Sequence, residues 1–299
     1  MANVSVIIPT LNAETKLAPL IASLSKQTLD CHIVIVDSSS SDKTAAIAES
    51  KKMKLLTIAK SDFNHGKTRN LGFQGEESDI AIFLTQDAYP VDQCCLENLI
   101  KPLKDSHILA SFGRQIPQPD ASPLEKFTRK FNYPETPMVK GLEDLPKLGI
   151  KTFFFSNVCS AIKAKEFNEL GCFPENIVMF EDLIFAAKAI LKGYKIAYVP
   201  DAKVWHSHNF SLFQQFRRYR DAGVSLRNNS WIFEHAAANS EGVKFLKQLV
   251  CYLSREHQYR WIPYAIAESI FKFAGFWLGM HGISPYKNIF APPQTKSNA

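Results

Sequence analysis

Four short apolar runs, separated by stretches with helical spacing, dominate the first 84 residues and constrain the fold more than any other feature. Residues 4–8 form a β-branched run that Pro9 ends. A run without polar alternation suits a strand covered on both faces. Residues 12–27 then place Leu17, Leu20, Ile21 and Leu24 at helical spacing. Residues 33–36 read as a second buried strand that leads into Asp37, and residues 41–50 as a helix. A third strand is expected over 55–58, a short helix over 68–75 and a fourth strand over 80–84. Such alternation predicts a parallel, doubly wound α/β sheet. Ligands of these sheets sit beyond the carboxyl ends of the strands. The unusual polar residues fall on that edge: Thr10 and Asn12 after the first run, Asp37 after the second, Asp87 after the fourth.

Residues 113–150, rich in proline, glycine and charge, read as a long irregular connection. Beyond it, residues 180–191 look helical, and 196–199 and 203–205 look like two strands. Ser211-Leu212-Phe213-Gln214 fits a capping box that opens a further helix. The expected organisation is one unit over residues 1–210, with a first half up to about 112 and a second half from 113. A helical extension follows over 211–299.

With 46% hydrophobic residues, the 299-residue chain can bury a sizeable core and is unlike a disordered chain. No basic segment or cleavage site precedes the first apolar run, so no signal peptide is expected. The six scattered cysteines show no zinc spacing, which suits reduced cytosolic thiols. The formal charge of +6 is uneven. Residues 1–200 balance, with 23 basic and 23 acidic side chains, whereas residues 201–299 carry 12 basic and 6 acidic ones. A basic C-terminal region attracts phosphates. No nucleic-acid recognition motif accompanies it.

Several motifs occur in one order. Val-Ile-Ile-Pro-Thr-Leu-Asn (6–12) opens the chain, and Val-Asp-Ser-Ser-Ser-Ser-Asp-Lys-Thr (36–44) follows the second run. Next come Phe-Asn-His-Gly-Lys-Thr-Arg-Asn (63–70), Phe-Leu-Thr-Gln-Asp-Ala (83–88), Phe-Glu-Asp-Leu (180–183) and Trp-His-Ser-His-Asn (205–209). Over roughly residues 3–230 this set resembles the family-2 inverting glycosyltransferases. The segments 64–70 and 85–88 are similar to the rhamnosyltransferase branch. The resemblance implies a GT-A fold, a Rossmann-like mixed sheet, and transfer from a nucleotide sugar with inversion. It implies dTDP-L-rhamnose as donor and a polyprenyl-diphosphate-linked cell-surface glycan as acceptor. UDP-hexose donors, or a non-catalytic nucleotide-binding scaffold in a glycan-assembly complex, are the alternatives.

The same resemblance implies roles for single residues. Asp37 would accept the imide N–H of uracil or thymine, with Pro9, Thr10 and Asn12 lining the pocket and Gln86 nearby; an N-cap for the following helix is the simpler use of Asp37. His65, Lys67 and Arg69 around Gly66 suit a diphosphate, or form a solvated basic turn. Asp87 and His206 would hold Mg²⁺ or Mn²⁺, with His208 as the alternative ligand. The family has an aspartate where Thr85 stands, so one carboxylate is missing. Asp182 would be the general base. Glu181 would hold the loop or the acceptor, although both acids also suit a first helical turn. Asn157, His208, Arg217 and Arg218 are candidate contacts to acceptor or phosphate.

Residues 261–280 are long and aromatic enough to suggest a span. Pro263, Glu268 and Lys272 argue against one. Trp261, Tyr264, Phe271, Phe273, Phe276 and Trp277 suit a headgroup boundary, and Lys244, Lys247, Arg255 and Arg260 suit anionic lipid. Peripheral docking on the cytoplasmic membrane surface is therefore expected. Packing on the catalytic unit or on a second subunit in a homo-oligomer is the alternative.

Overall fold

The computed structural model describes residues 2–236 and 241–283. Among the described residues, nine strands form one mixed sheet: β1 (Val4–Thr10), β2 (His32–Asp37), β3 (Lys54–Thr57), β4 (Ile80–Leu84), β5 (Tyr89–Pro90), β6 (Ile108–Ile116), β7 (Met138–Lys140), β8 (Cys159–Lys163) and β9 (Lys195–Trp205). Their order is β3-β2-β1-β4-β8-β6-β9-β5, with β7 on β9. The first four strands are parallel, as their spacing predicts. β8 runs antiparallel to both β4 and β6 and joins the two halves of the sheet.

The helices are α1 (Glu14–Leu24), α2 (Thr44–Ser50), α3 (His65–Phe73), α4 (Cys95–Ile100), α5 (Pro123–Asn132), α6 (Leu145–Leu148), α7 (Ala164–Glu169) and α8 (Glu181–Leu191). Beyond β9 lie α9 (Leu212–Asn228), α10 (Ile232–His235), α11 (Glu241–Arg255) and α12 (Ile262–Met280). The continuous apolar runs have a direct explanation. Ile7, Val34, Val36 and Phe83 join one core, whereas Val6, Ile8, Ile35, Ile82 and Leu84 join the core on the opposite face. Strand side chains alternate, so a sheet covered on both sides needs apolar residues at every position.

Three expectations need correction. Pro9 does not end β1, which continues to Thr10 opposite Asp37. Residues 113–150 are not an irregular connection: they hold the end of β6, then α5, β7 and α6. Ser122 accepts a hydrogen bond from Glu125 N and caps α5, and its Ser-x-x-Glu pattern was readable. Residues 196–199 and 203–205 are one strand, β9, whose register against β6 slips between Gly113 and Arg114. A side chain on Gly113 would collide with Ala202 O, so the bulge requires glycine there.

The capping box of α9 is present, with Ser211 Oγ accepting from Gln214 N and Gln214 Oε1 accepting from Ser211 N. α12 packs along α9 at very short range. A Cβ on Gly275 would run into Phe216 O, and one on Gly279 into Arg220 O. The charges that argue against a span face inward, since Glu268 and Lys272 pair at 2.5 Å and are largely buried. Among the described residues, no helix is long and apolar enough to cross a membrane.

Gly279→Ala tests the helix contact. Intrinsic propensity favours alanine by about 0.8–1.0 kcal/mol. The collision with Arg220 O should reverse that sign and lower unfolding stability by about 1–3 kcal/mol, the usual scale of overpacking. Urea denaturation measures it. A more stable variant would mean that the helices move apart freely.

Candidate active site

The carboxyl ends of β1, β2 and β4 carry the first group of residues. Asp37 is 2% exposed. Its Oδ1 accepts from Thr10 Oγ1 at 2.9 Å and Ser40 Oγ at 2.6 Å, and its Oδ2 from Ser40 N at 2.8 Å. Asp37 thus organises the turn after β2 and is not the cap of α2, whose N-cap position is Lys43. Asn12, at φ 47°, ties the two loops together. Its N donates to Ser40 Oγ at 2.8 Å, and its Oδ1 accepts from Ser41 N at 2.9 Å. Gln86 grips the Leu11 backbone with both ends of its amide, at 2.8 and 3.3 Å.

Of His65, Lys67 and Arg69, the arginine leaves the surface, although its Nη1 also donates to His65 O at 2.9 Å. Asn64 caps α3 by accepting from Gly66 N and Lys67 N. His65 and Lys67 are exposed, but Arg69 turns inward and is 4% exposed. Gly66 is required by packing on Pro174 O.

The buried end of Arg69 meets the second group. Arg69 Nη1 donates to Glu181 Oε1 at 3.1 Å, and Asn157 Nδ2 donates to the same oxygen at 3.2 Å. Glu181 is therefore held by two partners. Asp182, its neighbour, accepts from Asn157 N at 3.2 Å and Leu183 N at 2.8 Å. Burial, and then repulsion by Glu181, push its carboxyl up to about 7 despite these bonds and Arg69. Phe180 precedes the pair in a left-handed conformation, φ 69°, which turns the chain sharply into α8. Such a conformation costs about 1–2 kcal/mol for a residue with a Cβ.

The third group is Asp87, His206 and His208, whose ligand atoms all lie within 4.8 Å of one another. His206 Nε2 is 3.5 Å from Asp87 Oδ1, and His208 Nε2 is 3.6 Å from Oδ2. His206 is no lone histidine. Its Nδ1 lies 2.9 Å from Gln115 Oε1. The amide nitrogen of Gln115 donates to Tyr133 and to Ser156 Oγ, and Arg129 donates to the same Oε1. That network assigns Gln115 Oε1 as an acceptor, so His206 carries its proton on Nδ1 and turns the Nε2 lone pair towards Asp87.

Burial lowers the basicity of both histidines, to about 4 in His208, where neighbouring His206 adds to the effect. Burial acts to raise Asp87, but a hydrogen bond and charge from His206 in its protonated form, with the charge of protonated His208 and of Lys16, outweigh it and hold the carboxyl well below its ordinary range. Two neutral imidazoles beside an ionised carboxylate make a donor set that fits a divalent cation. Lys16 Nζ, 3.3 Å from Asp87 Oδ2, already brings a positive charge to the site. Thr85 Oγ1, two residues before Asp87, is buried with no hydrogen-bond partner among the described residues.

Arg217 and Arg218 lie on α9. Arg217 rests on Phe213 and Arg218 on Phe210, whose ring is 5.0 Å from His208. Sequence reasoning missed Lys16, Gln115, Arg129, Tyr133 and Ser156. The one signal available was the Ser122/Glu125 pattern, which would have marked the helix that carries Arg129.

A family model described as glycosyl transferase family 2 matches residues 5–171. The O-antigen chain rhamnosyltransferase WbaN of Salmonella anatum is 40% identical, covering 94% of this chain and 90% of its own. The O-antigen chain rhamnosyltransferase RfbN of Salmonella typhimurium is 39% identical, over 93% and 90%. Among solved structures, the mannosyltransferase PcManGT from Pyrobaculum calidifontis, in complex with GDP-Man and Mn²⁺, aligns with a TM-score of 0.64 at 15% identity. It covers 95% of this chain and 88% of its own, a likeness of fold. From the family match and the near full-length relatives, the chain belongs to glycosyl transferase family 2 and is a glycosyltransferase of GT-A fold.

Proposed function

We propose that the enzyme transfers L-rhamnose from dTDP-L-rhamnose, with inversion, to a cell-surface glycan acceptor carried on a polyprenyl diphosphate. Near full-length identity of 40% to an O-antigen chain rhamnosyltransferase supports the sugar and the acceptor class. The observation that carries the chemistry is Asp182, a carboxylate with raised basicity at the start of α8.

Asp182 takes the acceptor hydroxyl proton as that oxygen bonds to the anomeric carbon. The bond from that carbon to the diphosphate breaks, and the nucleoside diphosphate leaves from the opposite face. One displacement inverts the centre, and Asp182 then returns its proton to solvent. Glu181, Asn157 and Arg69 hold the base in place. Asp37 has three protein donors on about four lone-pair directions, which leaves room for the imide N–H of thymine. Asn12 and Gln86 keep the loops beside it in shape. His65 and Lys67, exposed at the start of α3, suit the diphosphate, as does Arg218. Asp87, His206 and His208 would hold the divalent ion, which when bound neutralises charge on the departing diphosphate.

Asp182→Asn should keep dTDP-rhamnose binding but lower turnover by about 10²-fold or more. With the base titrating near pH 7, kcat/KM should fall as pH drops below about 7, because the protonated carboxyl cannot accept the proton. A flat profile from pH 5 to 8, or near-normal transfer by the variant, removes Asp182 from the role. A thermal-shift screen of nucleotide sugars tests the donor; stronger stabilisation by UDP-hexoses would overturn it.

Chelation should abolish transfer. Since imidazole is a poor ligand for Mg²⁺, Mn²⁺ should restore more activity than Mg²⁺. Full activity in EDTA would leave the basic side chains as sole support of the leaving group.

Peripheral docking on the cytoplasmic face belongs to the same reading. Ile266, Ile270, Phe273 and Trp277 recur at 4, 3 and 4 residues along α12 and are 43%, 60%, 70% and 44% exposed, an apolar stripe opposite the face that meets α9. Lys247, Arg255 and Arg260 are exposed nearby in sequence. The protein should co-sediment with anionic vesicles at low salt, and a Phe273→Ser/Trp277→Ser variant should not. Equal sedimentation of the two would mean that the stripe serves another contact.

A further inference from the structure

A cleft of about 440 Å³ lies beside the metal-ligand group, within the range of roughly 300–1,000 Å³ typical of small-ligand sites. Three segments remote in sequence build it: the start of α5, the loop from His208 into α9, and the start of α12. We propose that this cleft binds a neutral sugar unit of the glycan acceptor, a proposal that rests on the acceptor class given above.

The chemistry of the walls selects that ligand. Trp261 and Tyr264 stand edge to face, with ring centroids 5.6 Å apart. Aromatic surface matches the apolar C–H face of a pyranose. Asn209, Gln214 and Gln215 add amides, which donate to and accept from hydroxyl groups. The indole Nε1 of Trp261 is buried and has no hydrogen-bond partner among the described residues. A buried donor left unpaired is costly, and a small turn of the ring would bring it to a ligand oxygen in the cleft.

Charge argues against phosphate. Asp120, Glu125 and Glu268 line the cleft, and no lysine or arginine does. Arg129 and Lys272 are turned to Glu125 and Glu268 as ion pairs. A diphosphate or lipid headgroup would meet carboxylates first, whereas sugar hydroxyls can donate to them.

Position ties the cleft to the reaction. His208 lines it and also stands in the group with Asp87 and His206. Glu125 accepts from His208 N at 3.3 Å and pairs with Arg129, which reaches Gln115 and, through it, His206. A sugar held here lies at the edge of the reaction centre, as the next unit of an acceptor chain would.

The test uses the full-length protein and three probes, the methyl glycosides of rhamnose, mannose and galactose, with pyrophosphate as the anionic control. Binding is read from the Trp261 indole N–H signal in ¹H–¹⁵N spectra, assigned through its loss in Trp261→Phe. At least one glycoside should shift that signal saturably at millimolar concentration, and pyrophosphate should not. Tyr264→Ala should weaken glycoside binding by about tenfold or more, and Gln215→Trp, which fills the cleft from α9, should do the same. Both should leave the affinity for dTDP-rhamnose unchanged, which also reports that they are folded. No response to any glycoside, an equal response to pyrophosphate, or undiminished glycoside binding by both variants overturns the proposal. Failure of the parent protein to prefer dTDP-rhamnose bears on the donor alone and leaves the cleft result standing.

Discussion

The buried ion pair between Arg69 and Glu181 is the contact on which the rest of the site depends. It spans 112 residues of sequence and joins α3, in the first half of the chain, to α8, in the second. Both side chains are almost wholly shielded from water, so their mutual attraction and the added Asn157 bond must offset a large desolvation cost. Removal of either partner would leave an uncompensated charge. The pair also sets the character of Asp182. Burial first, and then Glu181 beside it, keep Asp182 from ionising as readily as an exposed aspartate, and its backbone donors hold it at the first turn of α8.

A second junction orients the histidines. Gln115, at the end of β6, takes Arg129 and His206 on its oxygen and gives its nitrogen to Tyr133 and Ser156. Ser156 is next to Asn157, which touches both Glu181 and Asp182. Hydrogen bonds as far as Ser156, and then the peptide link to Asn157, therefore connect the Asp87, His206 and His208 group to the acidic pair. This connection is buried along most of its length, and a half-satisfied network of this kind would be costly. A shift of β6 would move both ends together.

The chain's sequence determined a good deal by itself. Period and composition are local properties, so the parallel strands β1 to β4, their order of appearance and the polar residues at their ends were legible, as was the capping box of α9. The ordered motifs marked Asp87, His206 and the Glu181-Asp182 pair. Other features belonged to tertiary structure. Residues 113–150 looked irregular because α5 is short and β7 is only three residues long, held by pairing with β9. Arg69 read as a phosphate ligand because a sequence shows a cation but not the carboxylate that will meet it 112 residues later. The partner that orients His206 was not legible, because Gln115 arrives from β6, 91 residues away in sequence. The glycines of α12 gave no sign of α9 beside them. Propensity and periodicity act over a few residues, whereas desolvation, ion pairing and helix contact depend on which distant groups the fold brings within a few ångströms. The chemistry available to this chain was written in its residue types, but which charges pair with each other and which stay free for a ligand was decided only when the two halves closed around Arg69 and Glu181.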